Sequence, residues 1–406
     1  MKILRRSFLF ILFIFQIPIF NSTEAQGFSL DWHGFVNPHY YADSRSVVGG
    51  REDMMLFYPK PVVLDSFGND INDGWQADML AITARLGLRI NGPDMLGAKA
   101  SAYIEGDFTG STNATINNLR LRHAYITLDW GRHRLLTGQY WYAMVIHEIM
   151  PMTNPLNMGA PFHCYARQPQ VRYEYRLDGF EAVAVAQWQL DNMSQGLLNG
   201  TPTSSTLFAR HSLVPELTAQ LRYRHGALFI GAAVNAKTIQ PIVNTTGLAA
   251  NRDLHTSLTY SVFGSLKLGG ITVKAQTLLN NSLYEGCSLG GYLLYQSVAG
   301  NDNMIRDWTF NTMWLDIERN TGHWRPGLFM GYAQKQEDGG PVLAIYGPPT
   351  VFGRGYDMEY LWRVQPRLTY TTGNGLSFTG EAEYTYAGYN TPVGNLRLSF
   401  SMVYAF

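Results

Sequence analysis

A chain of 406 residues with 31 basic and 31 acidic side chains carries no net charge, and no basic tail or block marks it for nucleic acid. Only 15% of its residues are charged, against about 25% in soluble domains, while 13% are aromatic. This argues against a charge-coated globule and fits a wall facing lipid, although composition alone leaves a secreted all-β protein open.

Lys2, Arg5 and Arg6 open the chain, an uncharged apolar run follows from Ser7 to Phe20, and Thr23-Glu24-Ala25 offers a cleavage site. This is the layout of a secretory signal peptide over residues 1–25, leaving Gln26 as the new N-terminus. The run is too short for a comfortable helical span. No Cys follows it, against a lipid anchor, and beyond residue 26 no stretch approaches 18 uncharged apolar residues.

From there the sequence predicts strands at about 28–41, 79–91, 98–110, 117–130, 133–145, 168–176, 179–191 and 215–225. Eight more follow at about 227–239, 255–268, 270–281, 306–319, 323–336, 359–371, 375–389 and 394–406. Short Gly- and Asn-rich turns such as Asn91-Gly92-Pro93, Leu177-Asp178-Gly179 and Thr372-Gly373-Asn374-Gly375 alternate with long connections at about 42–78, 146–167, 192–214, 240–254, 282–305 and 337–358. Tight turns on one side and long loops on the other are the asymmetry of outer-membrane barrels. The fold class is therefore an all-β transmembrane barrel of 16 antiparallel strands, a single domain over 26–406.

Faces are read from strand parity. Near the end, Leu396, Leu398, Phe400, Met402, Tyr404 and Phe406 oppose Arg397, Ser399 and Ser401, and a terminal aromatic is the assembly signal of such barrels. Leu217, Ala219, Leu221 and Tyr223 likewise oppose Thr218, Gln220, Arg222 and Arg224. The polar faces hold too many Arg, Glu and Gln to pack as a core, so they line water while the apolar faces meet lipid. The segments around Ala182–Ala186 and Trp308–Trp314 are blurred and take no orientation. Tyr40, Tyr125, Trp130, Trp324, Tyr370, Tyr384 and Tyr404 suit an interfacial girdle.

Sixteen strands enclose a channel wide enough for hydrated small solutes. Inward parity falls on Arg85, Arg89, Arg172, Arg176, Arg222, Arg224, Arg363, Arg367 and Arg397, with Lys99, Lys237, Lys267 and Lys274, and Arg120 and Arg122 join them. Inward acids are fewer: Glu105, Asp107, Glu174, Glu381 and Glu383. A basic arc concentrates anions, and the guanidinium fork grips carboxylates at two points. The opposing reading is that cross-strand pairs with Glu105, Asp107, Glu381 and Glu383 neutralise the wall.

The third connection, about 146–167, is rich in Pro and Met, including Met150, Met152 and Met158, and is stiff and apolar for an exposed loop. Folding into the lumen as a constriction explains this. Its expected residues are His147, Glu148, Met152, Phe162, His163 and Arg167.

Leu119-Arg120-Leu121-Arg122-His123-Ala124-Tyr125, followed by Thr137-Gly138-Gln139-Tyr140-Trp141, resembles the DcaP-like porins, with their "RHAY" strand and "GQxW" partner. The similarity covers about residues 79–145. It implies an outer-membrane homotrimer admitting small anionic solutes, dicarboxylates among them, with Arg120 and Arg122 on the pore wall near its constriction. Parity shifts after His123, so a bulge is expected there. The charge-poor third loop departs from specific carboxylate recognition.

His123, His133, His211, His255 and His323 are scattered without a Ser or Asp partner at catalytic spacing, so no enzyme is expected. Neither a metal-ligand spacing nor any other pattern calls for a cofactor. Cys164 and Cys287 fall in predicted loops, where a disulfide and two free thiols both stay open. A filled barrel with a structural, adhesive or enzymatic role is the alternative.

Overall fold

The computed structural model describes residues 27–154, 158–247, 250–297, 302–336, 342 and 344–406. The expected signal peptide lies outside the described residues, as do Pro155, Leu156 and Asn157 of the third connection.

The wall is a closed antiparallel barrel of 16 strands. Strand β1 runs in two pieces, Ser29–Val36 and His39–Arg45, broken at Asn37-Pro38, and β2 in two, Asp73–Leu80 and Arg85–Asn91. Proline's missing N–H explains the first break. There follow β3 (Lys99–Asp107), β4 (Arg120–Asp129), β5 (His133–Trp141), β6 (Arg167–Leu177), β7 (Phe180–Gln187) and β8 (Glu216–His225). The second half comprises β9 (Leu228–Ile239), β10 (His255–Leu268), β11 (Ile271–Asn281), β12 (Phe310–Arg319) and β13 (Trp324–Lys335). It ends with β14 (Tyr360–Thr371), β15 (Leu376–Gly388) and β16 (Val393–Ala405). Closure is between β1 and β16, with Phe35 opposite Ala405 and His39 opposite Ser401. Phe406 and Gly34 exchange backbone hydrogen bonds of 3.0 Å at this seam.

The barrel is inside-out. Leu221 is 70% and Phe400 50% exposed, whereas Arg222 is 5% and Arg397 0% exposed. Leu217, Leu258, Val262 and Leu398 join the outer apolar face. A belt that apolar is stable only against hydrocarbon, and closing the sheet leaves no wall edge at the β1–β16 seam.

Several boundaries differ from the expectation. Strands β3, β5 and β7 stop at Asp107, Trp141 and Gln187, and the expected strand at 306–319 is two elements. Its first part, Asn303–Trp308, belongs to a small sheet with Gly290–Gln296 and Thr350–Arg354 above the barrel. A second small sheet joins Gln195–Leu198, Thr201–Ser204 and Ile242–Val243. Leu197, Phe208, Val243, Tyr292, Leu294 and Phe352 pack between these connections, so the segments expected as plain loops form a small roof with its own core.

The blurred strands also resolve. In β7, Val183 and Val185 point inward onto Ala143. In β12, Phe310 and Trp314 point inward against residues of the third connection. Parity fails there because the inner face is itself apolar where a loop covers it.

Candidate functional site

The lumen holds two cavities on the β2–β8 side. The one nearer the long loops, about 230 Å³, is lined by Arg51, Arg85, Arg120, Arg122, Arg167 and Arg354, with Asp107 and Asp191 among its acids. The one nearer the short turns, about 530 Å³, is lined by Arg132, Arg134, Arg172, Arg176, Arg222 and Arg224, against Glu148, Glu174, Asp178 and Glu181. Each therefore has a surplus of guanidinium over carboxylate.

A bulge sets the first group. Glu105 stands opposite His123 and Gly106 opposite Leu121, which leaves Arg122 as the extra residue. A bulge re-aims side chains, and here Arg122 and His123 are both buried. Gln139 Nε2 donates to the carbonyls of Leu121 and Arg122 at 2.9 and 3.1 Å, pinning the bulge. Gly138, at φ +126°, passes so close to β4 that a Cβ would lie 2.2 Å from the Ala124 carbonyl oxygen. The similarity of the segments around His123 and Gln139 thus has a physical content: one builds the bulge and the other holds it.

Arg120 forks onto Asp107 at 2.9 and 3.1 Å, and Arg122 bridges Glu105 at 2.6 Å and Asp107 at 2.9 Å. Arg167 lies over the Trp141 ring at 3.9 Å. Arg51 and Arg354 were not foreseen, because they come from long connections rather than from strands with readable parity. Among the described residues, Arg122 Nη2 and the Nε atoms of Arg51 and Arg354 have no hydrogen-bond partner. Burial, and then the charge of Arg120, push the Arg51 guanidinium below its ordinary pKa.

In the second cavity Arg172 and Arg176 hold Glu174 at 2.6 and 2.7 Å, and Arg222 holds Glu148 at 2.9 Å. Burial works against charge on Glu148, yet Arg222 keeps its carboxyl below the usual range. On β3, β4 and β5 the rings of Tyr103, His123, Tyr125, Tyr140 and Trp141 are in contact at centroid distances of 5.0 to 6.2 Å, with Tyr140 lining the turn-side cavity. Tyr125 is therefore part of an inner aromatic cluster, not of the girdle that its place near a strand end suggested. Tyr40, Trp130, Trp324, Tyr384 and Tyr404 are exposed.

The other side of the lumen is packed. Phe162 lies against Phe329, with ring centroids 6.2 Å apart. It sits so close to β13 that a Cβ on Gly331 would meet its ring at 2.5 Å. Met150, Met158, Ala160 and Cys164 join the same core with Phe263, Leu278, Trp314 and Leu361. His163 is fully buried edge-on to Trp314, and burial drives its imidazole down to about 3, so it stays neutral. Phe162 and His163 thus touch wall rather than solvent, while Met152 is exposed. His147 and Glu148 line the turn-side cavity and Arg167 the loop-side one.

Three inward arginines are likewise closed off. Arg363 bonds Glu383 and donates to the carbonyls of Ala160, Leu56 and Phe57; Arg397 bonds Asp43 and the carbonyls of Met54 and Asp53. Arg367 forks onto Asp316 at 2.7 and 3.1 Å. Parity gave their face correctly but not their partners, Asp43 and Asp316, which the expected list of inward acids omits. Arg89, Lys99 and Lys267 are exposed near the turns, Arg89 lying 5.8 Å from the Tyr103 ring, and Lys237 and Lys274 are buried on Glu285 and Glu318. Cys164 and Cys287 are both free thiols.

No family model matches the chain, and no curated protein matches it. Among solved structures it is similar to the outer-membrane channel DcaP of Acinetobacter baumannii, at 21% identity and TM-score 0.66, covering 94% of this chain and 98% of that one. The anion-selective porin from Comamonas acidovorans follows at 11% identity and TM-score 0.54, covering 93% and 100%. The trimer form of OmpT, an outer-membrane protein of Vibrio cholerae, gives 10% and 0.54, covering 94% and 100%. What the chain shares with them is the fold of an outer-membrane channel.

Proposed function

We propose that this chain is an outer-membrane porin, not an enzyme, that passes small hydrophilic solutes by diffusion and prefers anions, dicarboxylates among them. One observation carries the reading: both lumenal cavities have more arginines than carboxylates. Low-dielectric walls bearing one sign of charge concentrate the opposite ion. The likeness to an anion-selective porin supports the same direction.

In this reading Arg85, Arg120 and Arg122 act on the solute in the loop-side cavity and Arg172 and Arg176 in the turn-side one. Arg363, Arg367 and Arg397 brace the wall instead. Residues 146–167 form the constriction, with His147, Glu148 and Arg167 at the open side. Residues 1–25 are the export signal, and the barrel works as a homotrimer in outer-membrane lipid, as the trimeric neighbour supports.

The packed side favours a second reading, a filled barrel with a structural role. Conductance across a planar bilayer separates the two. A salt-gradient reversal potential then tests selectivity: cation preference would remove the anion claim, and liposome swelling with a panel of carboxylates reads the solute class.

A further inference from the structure

Tyr165 precedes β6 by two residues and lines the loop-side cavity. Its Oη accepts from Arg122 Nη1 at 3.4 Å and Arg167 Nη2 at 3.2 Å. Among the described residues nothing accepts its own proton. A hydroxyl that receives two guanidinium N–H groups and donates none is placed to lose that proton.

The groups facing it come from every neighbouring element. Arg167 lies on β6, Arg120 and Arg122 on β4 and Arg85 on β2, with Arg51 from the first connection. Glu105 and Asp107 on β3 pair with those arginines. The Trp141 ring of β5 is 5.8 Å away, and His123 accepts from Arg167 Nε at 3.3 Å. From the roof side, the Gly286 carbonyl accepts from the Tyr165 amide at 2.7 Å, next to Cys287, and Arg354 and Asp191 complete the cavity. Burial opposes loss of the proton, but the charges of Arg167, Arg122, Arg120 and Arg85 outweigh it and bring the hydroxyl down to about 6.

We propose that Tyr165 is a specificity-determining residue of the pore, an internal counter-charge between Arg122 and Arg167 that sets how strongly the loop-side cavity takes small anions. The proposal rests on the anion reading above. Below the ionisation, six arginines face the three carboxylates Glu105, Asp107 and Asp191; above it, the phenolate joins the carboxylates. Anion uptake therefore falls as pH rises through the ionisation. By linkage, a bound anion raises the phenol's affinity for its proton, so occupancy and proton uptake go together.

The test combines two readouts between about pH 5 and about pH 8, a range that leaves ordinary tyrosines, near about 10, untitrated. The first is phenolate ultraviolet absorbance of the detergent-solubilised barrel. The second is the chloride-to-potassium permeability ratio from reversal potentials. The wild type should show one early phenolate step, with the ratio falling roughly two-fold across it, as expected for one charge within several ångströms of the ion path. Tyr165→Phe should lose the step and hold the high ratio at every pH. An anion-selective channel with no early step, or a pH-dependent ratio that survives Tyr165→Phe, overturns this role alone. A channel with no anion preference at any pH overturns the anion reading together with it. The absorbance titration needs only the wild type, so it decides even if the variant fails to assemble.

Discussion

From β2 to β8 the inner wall carries arginines around open cavities; from β9 to β16 it carries arginines and aromatics, covered by the methionine-bearing connections that fold in over them. The strands on both sides alternate in the same way. What separates them is the cover. On the packed side Arg363 and Arg397 spend their donors on loop carbonyls and buried carboxylates, which leaves none for a solute. On the open side Arg51, Arg122 and Arg354 line a cavity instead, and each has one buried guanidinium nitrogen without a hydrogen-bond partner among the described residues. An inward arginine is thus buried against protein or lines a cavity according to what loop lies over it. Charge count alone does not tell the two apart.

Substitutions sharpen this contrast. The largest expected effect is on the packed side: Arg363→Met leaves Glu383 buried without its cation and should destabilise the barrel by about 3–5 kcal/mol, read by urea unfolding. Adding Glu383→Gln should recover part of that loss. Phe162→Ala removes a fully buried ring and should cost about 3–5 kcal/mol or somewhat less where the segment relaxes, with conductance rising as the cover loosens. Unchanged stability in both would show that the packed side is not a core.

On the open side the outcomes reverse. Arg51→Ala with Arg354→Ala should lower the unfolding free energy by no more than about 2 kcal/mol, since among the described residues neither guanidinium has an ion pair and Arg354 gives up its stacking on the Phe57 ring at 4.1 Å, yet lower the chloride-to-potassium ratio several-fold. Loss of stability without loss of selectivity would merge the two sides into one class. The smallest effect is that of salt. Raising it to about 1 M shortens the screening length to about 3 Å, so selectivity should weaken modestly but persist where the arginines meet the ion directly.

Much of this was legible in the sequence. Strand number, the short-turn side and the lipid-facing stripe follow from period-two alternation and Gly-rich turns, and the bulge at Arg122 and His123 follows from one slip in parity. The failures have one origin. Val183, Val185, Phe310 and Trp314 blurred their strands because a loop gives them an apolar partner inside the barrel. Tyr125 was misplaced because its neighbours Tyr103 and Tyr140 come from other strands. Arg51, Arg354 and Tyr165 sit in connections, where no period assigns a face.

The sequence by itself determined which side of each ribbon meets hydrocarbon, because that choice is made locally, two residues at a time, by the cost of burying charge in lipid. Only the tertiary structure decided which inward groups stay open to water. That depends on where long connections return to pack, and such contacts join residues far apart in the chain, as Arg363 to Leu56 and Asn154 to Glu381 do.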